Sequence, residues 1–210
     1  MVASADLLRR LVGECDHVVA VDRGLDALLG ARLSCDVYVG DADTVSEAGR
    51  ALVDAAEDFE VERHDPYKDY TDLALALDSV RRRWTGAEVV ATCATGGRPD
   101  MALSVLGLLA GYEDAPIWIV EDKVVARILH TGESWTIEDA EGKTFSIIAI
   151  APNTDVSEQG LEWELDHSPL GLLADTGISN VVRSTAVIEV HTGTAIAYLL
   201  HQGSIRTVGE

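Results

Sequence analysis

The strongest constraint on this chain is a set of short, continuous apolar runs separated by helix-length stretches. Val18 to Val21 ends on Asp22, and Val37 to Val39 ends on Gly40-Asp41. Glu88 to Thr92 and Ile117 to Val120 are two further runs. Continuous β-branched runs, rather than alternating ones, suit parallel strands buried on both faces. Helix signals lie between them. Thr44 with Glu47 has capping-box spacing and predicts a helix through about Ala56. Leu73, Leu77, Val80 and Trp84 fall on one helical stripe, with Thr71 and Asp72 able to cap its start. Pro99 suits the first turn of another helix and Gly111 its C-terminal cap. Strands alternating with helices predict an α/β layer domain with a mostly parallel sheet.

The pattern changes near His130. From Ser134 onward strand-length runs are separated by turn residues, with no long helical stripe. Trp135 to Glu138 and Thr144 to Ile150 flank Asp139-Ala140-Glu141-Gly142 and predict a hairpin. Ala186 to Val190 and Ala195 to Leu200 flank a turn at Thr192-Gly193. The expected organisation is an α/β domain over residues 1–130 and an all-β C-terminal sandwich over 131–210.

Charge narrows the partners. The 210 residues carry 16 Lys and Arg against 36 Asp and Glu, a net charge of −20. Such a surface repels both a nucleic-acid backbone and an anionic membrane, so neither is an expected partner. No apolar run reaches the roughly 20 residues of a membrane span, and the opening Met1 to Arg10 lacks the apolar core of a secretory signal. The scattered Cys15, Cys35 and Cys93 form no CxxC pair, and the six histidines are also dispersed. A disulfide framework or a zinc knuckle is not expected. The cysteines read as small buried residues of a cytoplasmic protein.

The acids carry the chemistry. In open α/β sheets ligands bind beyond the carboxyl ends of the strands. Asp22, Asp41 and Asp43 follow strands there, while Asp72 and Asp100 open helices. Taken singly, each has a plain structural use as a helix cap or turn acid, and Trp163 alone would suit a sandwich core. Gathered together, the carboxylates repel one another unless a hard cation such as Mg²⁺ intervenes, which then accepts substrate phosphate oxygens. Lys68, Arg98 and Arg23 are the nearby cations able to touch phosphate directly. No Walker A, dinucleotide-binding, nucleophile-elbow or zinc-protease motif occurs in the sequence.

Six segments in order then resemble the thiamine pyrophosphokinase family. They are Asp22-Arg23-Gly24, Gly40-Asp41-Ala42-Asp43-Thr44, Lys68-Asp69-Tyr70-Thr71-Asp72-Leu73, Gly96-Gly97-Arg98-Pro99-Asp100, Gly160-Leu161-Glu162-Trp163 and Gly177-Ile178-Ser179-Asn180. The resemblance implies an ATP- and thiamine-using diphosphokinase that releases AMP. It also implies a homodimer with its active site at the subunit interface. By position, Asp22, Asp41, Asp43 and Asp72 would hold Mg²⁺ and the triphosphate. Lys68, Thr71 and Arg98 would bind nucleotide, and Asp72 or Asp100 would accept the alcohol proton. Trp163 would stack on the thiamine ring, with Ser179 and Asn180 hydrogen-bonding around it. The chain departs from the family pattern at Arg23, Ala42, Met101 and Val105, which stand where a glycine, a larger apolar residue, a histidine and an asparagine are usual.

Other functions also fit parts of the pattern. A non-catalytic relative would bind thiamine or nucleotide without needing so many carboxylates. A diphosphokinase for another alcohol, such as a pterin, would share the acidic set. A phosphatase with an aspartyl nucleophile is suggested by Asp41-Ala42-Asp43, although Thr44 stands where that chemistry expects glycine.

Overall fold

The computed structural model describes residues 3–65, 67 and 69–200. The chain divides into two compact units, one formed by residues 1–87 and 95–108 and the other by 88–94 and 109–210.

The first unit opens with α1 (Ala5–Glu14), started by Ser4, whose Oγ accepts from the Leu7 N–H at 3.2 Å. Next come β1 (Val19–Val21), α2 (Gly24–Ala31), β2 (Val37–Gly40), α3 (Glu47–Ala55), β3 (Glu60–Arg63) and α4 (Asp72–Arg83). The strands form a three-stranded sheet in the order β1-β2-β3, parallel throughout. Alternate residues explain the continuous apolar runs. Ala20 and Tyr38 pack with Leu25 and Leu28 of α2 and Val53 of α3. Val37 and Val39 pack with Ala76 of α4 on the other face. Each large aliphatic side chain removed from water in this way contributes ~1.5–3 kcal/mol before chain entropy is counted.

Several local expectations change. The helix after Asp43 starts later than the capping-box spacing predicts. Its cap is Ser46, whose Oγ accepts from Gly49 N at 3.1 Å. Thr44 instead donates its hydroxyl to Asp22 Oδ2 at 2.5 Å. Strand β3 has no apolar signature because it reads Glu-Val-Glu-Arg. It is held by charge, with Glu62 accepting from the buried Ser79 at 2.6 Å and pairing with Arg82 and Arg83 of α4. Of the cysteines only Cys35 is buried; Cys15 is exposed and Cys93 is intermediate.

The second unit is a large, mostly antiparallel sheet. Its strands are β4 (Val89–Ala91), β5 (Ile117–Glu121), β6 (Val124–His130), β7 (Ser134–Ile137), β8 (Thr144–Ala149), β9 (Thr154–Leu161), β10 (Leu165–Leu170), β11 (Asn180–Thr192) and β12 (Thr194–Leu200). Helix α5 (Pro99–Ala110) lies between β4 and β5 in sequence. The runs at Val89 and Ile117 pair in parallel with each other, as expected of them. They do not extend the first sheet, because β5 continues antiparallel into β6 and the larger sheet. The two expected hairpins are replaced by longer-range ladders. Strand β7 pairs with β11, while β8 pairs with β12 and with the start of β11. Strand β12 in turn lies between β6 and β8. Turn residues show where the chain reverses, but not which strand it pairs with afterwards.

Candidate active site

The first unit gathers its acids where β1 and β2 end. Asp22 follows β1 directly in a left-handed conformation, φ 47°, and its N–H donates to Val39 O at 3.0 Å. Gly40 closes β2 beside it. A β-carbon at Gly40 would meet Tyr38 Oη at 2.9 Å and Asp22 Cα at 3.4 Å, so glycine allows the two strand ends to approach. Ala42 also has a left-handed φ of 63°. That turn places Asp41 and Asp43 on the same side, with Asp43 N donating to Asp41 Oδ1 at 3.0 Å. Arg50 of α3 fastens the loop from behind. Its Nη2 donates to Ala42 O at 2.7 Å and to Asp43 O at 3.1 Å.

The resulting cluster has one carboxylate oxygen each from Asp22, Asp41 and Asp43, all within 4.8 Å of one another. Burial raises the Asp22 carboxyl above its ordinary pKa. The Thr44 hydrogen bond opposes that rise, and Asp72, Asp41 and Asp43 add to it. The second Asp22 oxygen, Oδ1, is buried without a hydrogen-bond partner among the described residues. A cavity of about 370 Å³ opens over the cluster. Asp22, Asp41 and Asp43 meet Thr71 and Asp72 there, and Met101, Val105 and Leu108 of α5 form an apolar wall. Thr71 also caps α4, its Oγ1 accepting from Ala74 N at 3.3 Å.

Arg98 and Asp100 are exposed and form a bidentate pair, with Nη2 to Oδ2 at 2.5 Å and Nε to Oδ1 at 3.1 Å. That pairing pulls the Asp100 carboxyl down to about 2, making it a weak proton acceptor. Neither residue lines the cavity. Lys68 lies outside the described residues. In the second unit Trp163 is 62% exposed, so it is a surface ring and not a core residue. Ser179 has φ 59° and its N–H donates to Ser146 Oγ at 3.0 Å. Asn180 is buried beneath Trp163 and hydrogen-bonds its backbone at both N–H and C=O. Arg50 carries no sequence signal of its own, since an arginine on an exposed helix is ordinary. Its use depends on the loop turning back over α3.

Residues 8–120 match the family model described as the thiamin pyrophosphokinase catalytic domain. Residues 134–196 match the model of the thiamin pyrophosphokinase vitamin B1 binding domain. The chain belongs to the thiamin pyrophosphokinase family. It is 26% identical over 173 residues to thiamine pyrophosphokinase 1 of Arabidopsis thaliana, covering 74% of this chain and 61% of that protein. The chain thus spans about three fifths of the length of that curated relative. The crystal structure of thiamin pyrophosphokinase from Geobacillus thermodenitrificans superposes with a TM-score of 0.78 at 27% identity, covering 97% of this chain and 94% of that one. Thiamin pyrophosphokinase from Candida albicans shares the fold with a TM-score of 0.80 at 13% identity, over 93% and 84% of the two chains. Within this thiamin pyrophosphokinase family member, Met101 and Val105 stand where a histidine and an asparagine were expected. Both face the cavity, so the departures make one wall apolar and leave the acidic cluster whole.

Proposed function

We propose that this chain transfers the pyrophosphoryl group of ATP to the hydroxyethyl group of thiamine, giving thiamine diphosphate and AMP. The observation that supports this most is the carboxylate cluster at the ends of two parallel strands, opening onto a cavity. The donor set fits Mg²⁺: Asp22, Asp41 and Asp43 offer only hard oxygens within mutual reach, and Asp22 Oδ1 is buried with no hydrogen bond among the described residues. These three residues and Asp72 would hold the ion. Bound Mg²⁺ supplies positive charge that offsets the acids and stabilises charge developing on the phosphate oxygens.

The chain's own residues do the rest. The thiamine hydroxyl oxygen attacks the β-phosphorus, and the bond from that phosphorus to the oxygen bridging the α-phosphorus breaks, releasing AMP. Asp72, which lines the cavity, accepts the hydroxyl proton. Asp100 is the weaker choice because Arg98 holds it ionised. Arg98 is exposed and can turn toward phosphate, where a planar guanidinium binds two oxygens. Lys68 and Thr71 complete the nucleotide contacts. Trp163 presents an exposed π-face to the cationic thiamine, with Ser179 and the Asn180 loop beside it.

Residues 1–130 form the catalytic portion and 131–210 the thiamine-binding portion, in keeping with the two family-model matches. The ladders of the second unit face each other as a sandwich, supported by Trp135 of β7 contacting Trp118 of β5 and Phe145 of β8. The protein acts in the cytoplasm. Among the described residues no helix is long and apolar enough to cross a membrane.

Three measurements follow. Calorimetry of a non-hydrolysable ATP analogue should show binding with Mg²⁺ and little or none in EDTA; equal affinity in both removes the metal from the account. Arg50→Ala should lower kcat/KM about tenfold, the effect of losing ~1.4 kcal/mol of loop-fixing hydrogen bonds. Unchanged kinetics in the folded variant would show that the Asp41–Asp43 loop holds itself. Sedimentation at assay concentration should find a homodimer, with the active site at the subunit interface. A fully active monomer would contradict that arrangement.

A further inference from the structure

Glu158 of β9 is fully buried, at 0% exposure. Its Oε2 accepts from Asn180 Nδ2 at 3.1 Å. Its Oε1 is buried without a hydrogen-bond partner among the described residues. Desolvation pushes this carboxyl up to about 7, and the Asn180 contact opposes the rise. Burying an acid with one oxygen unpartnered is costly, so packing stability gives no reason for it.

The chain of contacts above it leads to Trp163. Asn180, itself 3% exposed, donates from Nδ2 to Trp163 O at 2.7 Å as well as to Glu158. Its Oδ1 accepts from Trp163 N at 3.1 Å and from Val181 N at 2.9 Å. Both amide hydrogens and both oxygen lone pairs are therefore engaged. Reversing the amide would turn its NH₂ toward two N–H donors and its oxygen toward two acceptors. Glu158 thus supplies one of the two acceptors that hold the amide in the orientation able to grip the Trp163 peptide from both sides. The indole above remains 62% exposed, so this clamp anchors the ring's backbone while its face stays available. The segment leading to Asn180 passes over the same carboxyl: a β-carbon at Gly177 would meet Ile147 Cγ2 at 2.8 Å and lie 3.9 Å from Glu158 Oε1.

We propose that Glu158 is a positioning residue for the cationic, aromatic substrate, acting through the Asn180 amide on Trp163. This inference rests on the function proposed above. It assigns Asn180 to holding the ring-bearing peptide, since its amide has no hydrogen-bonding capacity left for a ligand.

Steady-state kinetics on Glu158→Gln, Glu158→Met, Asn180→Ala and Trp163→Ala tests it. Glu158→Met removes the acceptor and should raise KM for thiamine about tenfold while KM for ATP stays within about twofold. Glu158→Gln keeps an acceptor oxygen and should restore thiamine KM to near the parent value, which a general packing role would not explain. Asn180→Ala should raise thiamine KM at least as much as Glu158→Met, and it decides the matter alone if Glu158→Met does not fold. Unchanged thiamine KM in Glu158→Met or Asn180→Ala, in a protein whose Trp163→Ala variant does lose thiamine, overturns the inference. So does a loss shared equally by both substrates, or a Glu158→Gln variant no better than Glu158→Met. If Trp163→Ala itself leaves thiamine KM unchanged, the thiamine reading of this surface fails, and the inference fails with it.

Discussion

Asp43→Asn and Asp41→Asn should each lower turnover by about 100-fold or more, the scale of losing one strong electrostatic contact to the transition state. The reason is geometric as well as chemical. Asp41 and Asp43 share a cluster with Asp22, each offering an oxygen within 4.8 Å of the others, and the loop between them is fixed by Arg50. An Asn has nearly the size of Asp, so the loop keeps its shape. It loses the charge that attracts a divalent cation and so weakens the hold on a triphosphate. Kinetics at rising Mg²⁺ distinguish two forms of the loss. A defect reversed by high Mg²⁺ lies in ion affinity, and one that persists lies in the transition state. A folded variant with normal turnover at ordinary Mg²⁺ would return both acids to the role of turn residues.

Trp163→Ala should weaken thiamine binding by about 1–2 kcal/mol, or roughly five- to thirtyfold, with nucleotide affinity nearly unchanged. Its exposure of 62% separates this outcome from that expected of a core tryptophan. Truncating a buried tryptophan costs ~3–5 kcal/mol of stability, whereas an exposed ring away from such packing costs within about 0.5 kcal/mol. The melting temperature of Trp163→Ala should therefore stay close to that of the parent. A large fall in melting temperature with a uniform loss of ligand binding would return Trp163 to a structural role. Unchanged thiamine affinity in a stable variant would remove the reason for favouring thiamine over another alcohol.

The local signals that depend on neighbouring residues were legible in the sequence. The apolar runs ending at Asp22 and Gly40-Asp41 form parallel strands, and Thr71 caps the helix that Asp72 opens. The assembly of Asp22, Asp41, Asp43 and Asp72 around one cavity follows from that topology. What escaped depends on contacts across the fold. Strand β3 puts only Val61 against the core, and its Glu60 and Glu62 are paired with arginines on α4, about twenty residues later. Thr44 fits the spacing of a helix cap, yet it bonds Asp22, and that choice exists only once β1 and β2 lie side by side. Asp100 looked available as a base until the Arg98 side chain folded onto it. The turns after Ile137 and Thr192 were visible, but ladder register depends on strands far apart in sequence, as β7 with β11 and β12 with β6 show. Glu158 gave no sign in the sequence because an isolated glutamate in an alternating strand is normally exposed.

The acidic cluster is proposed to serve transfer of a pyrophosphoryl group to thiamine. Phosphorus NMR of a reaction containing the protein, ATP, Mg²⁺ and thiamine tests this most directly, because it distinguishes AMP from ADP and thiamine diphosphate from thiamine monophosphate. The expected result is AMP and thiamine diphosphate accumulating in equal amounts, with neither formed when thiamine or Mg²⁺ is left out. ADP with thiamine monophosphate, inorganic phosphate alone, or no turnover by a protein that binds both substrates would rule out that role for the cluster.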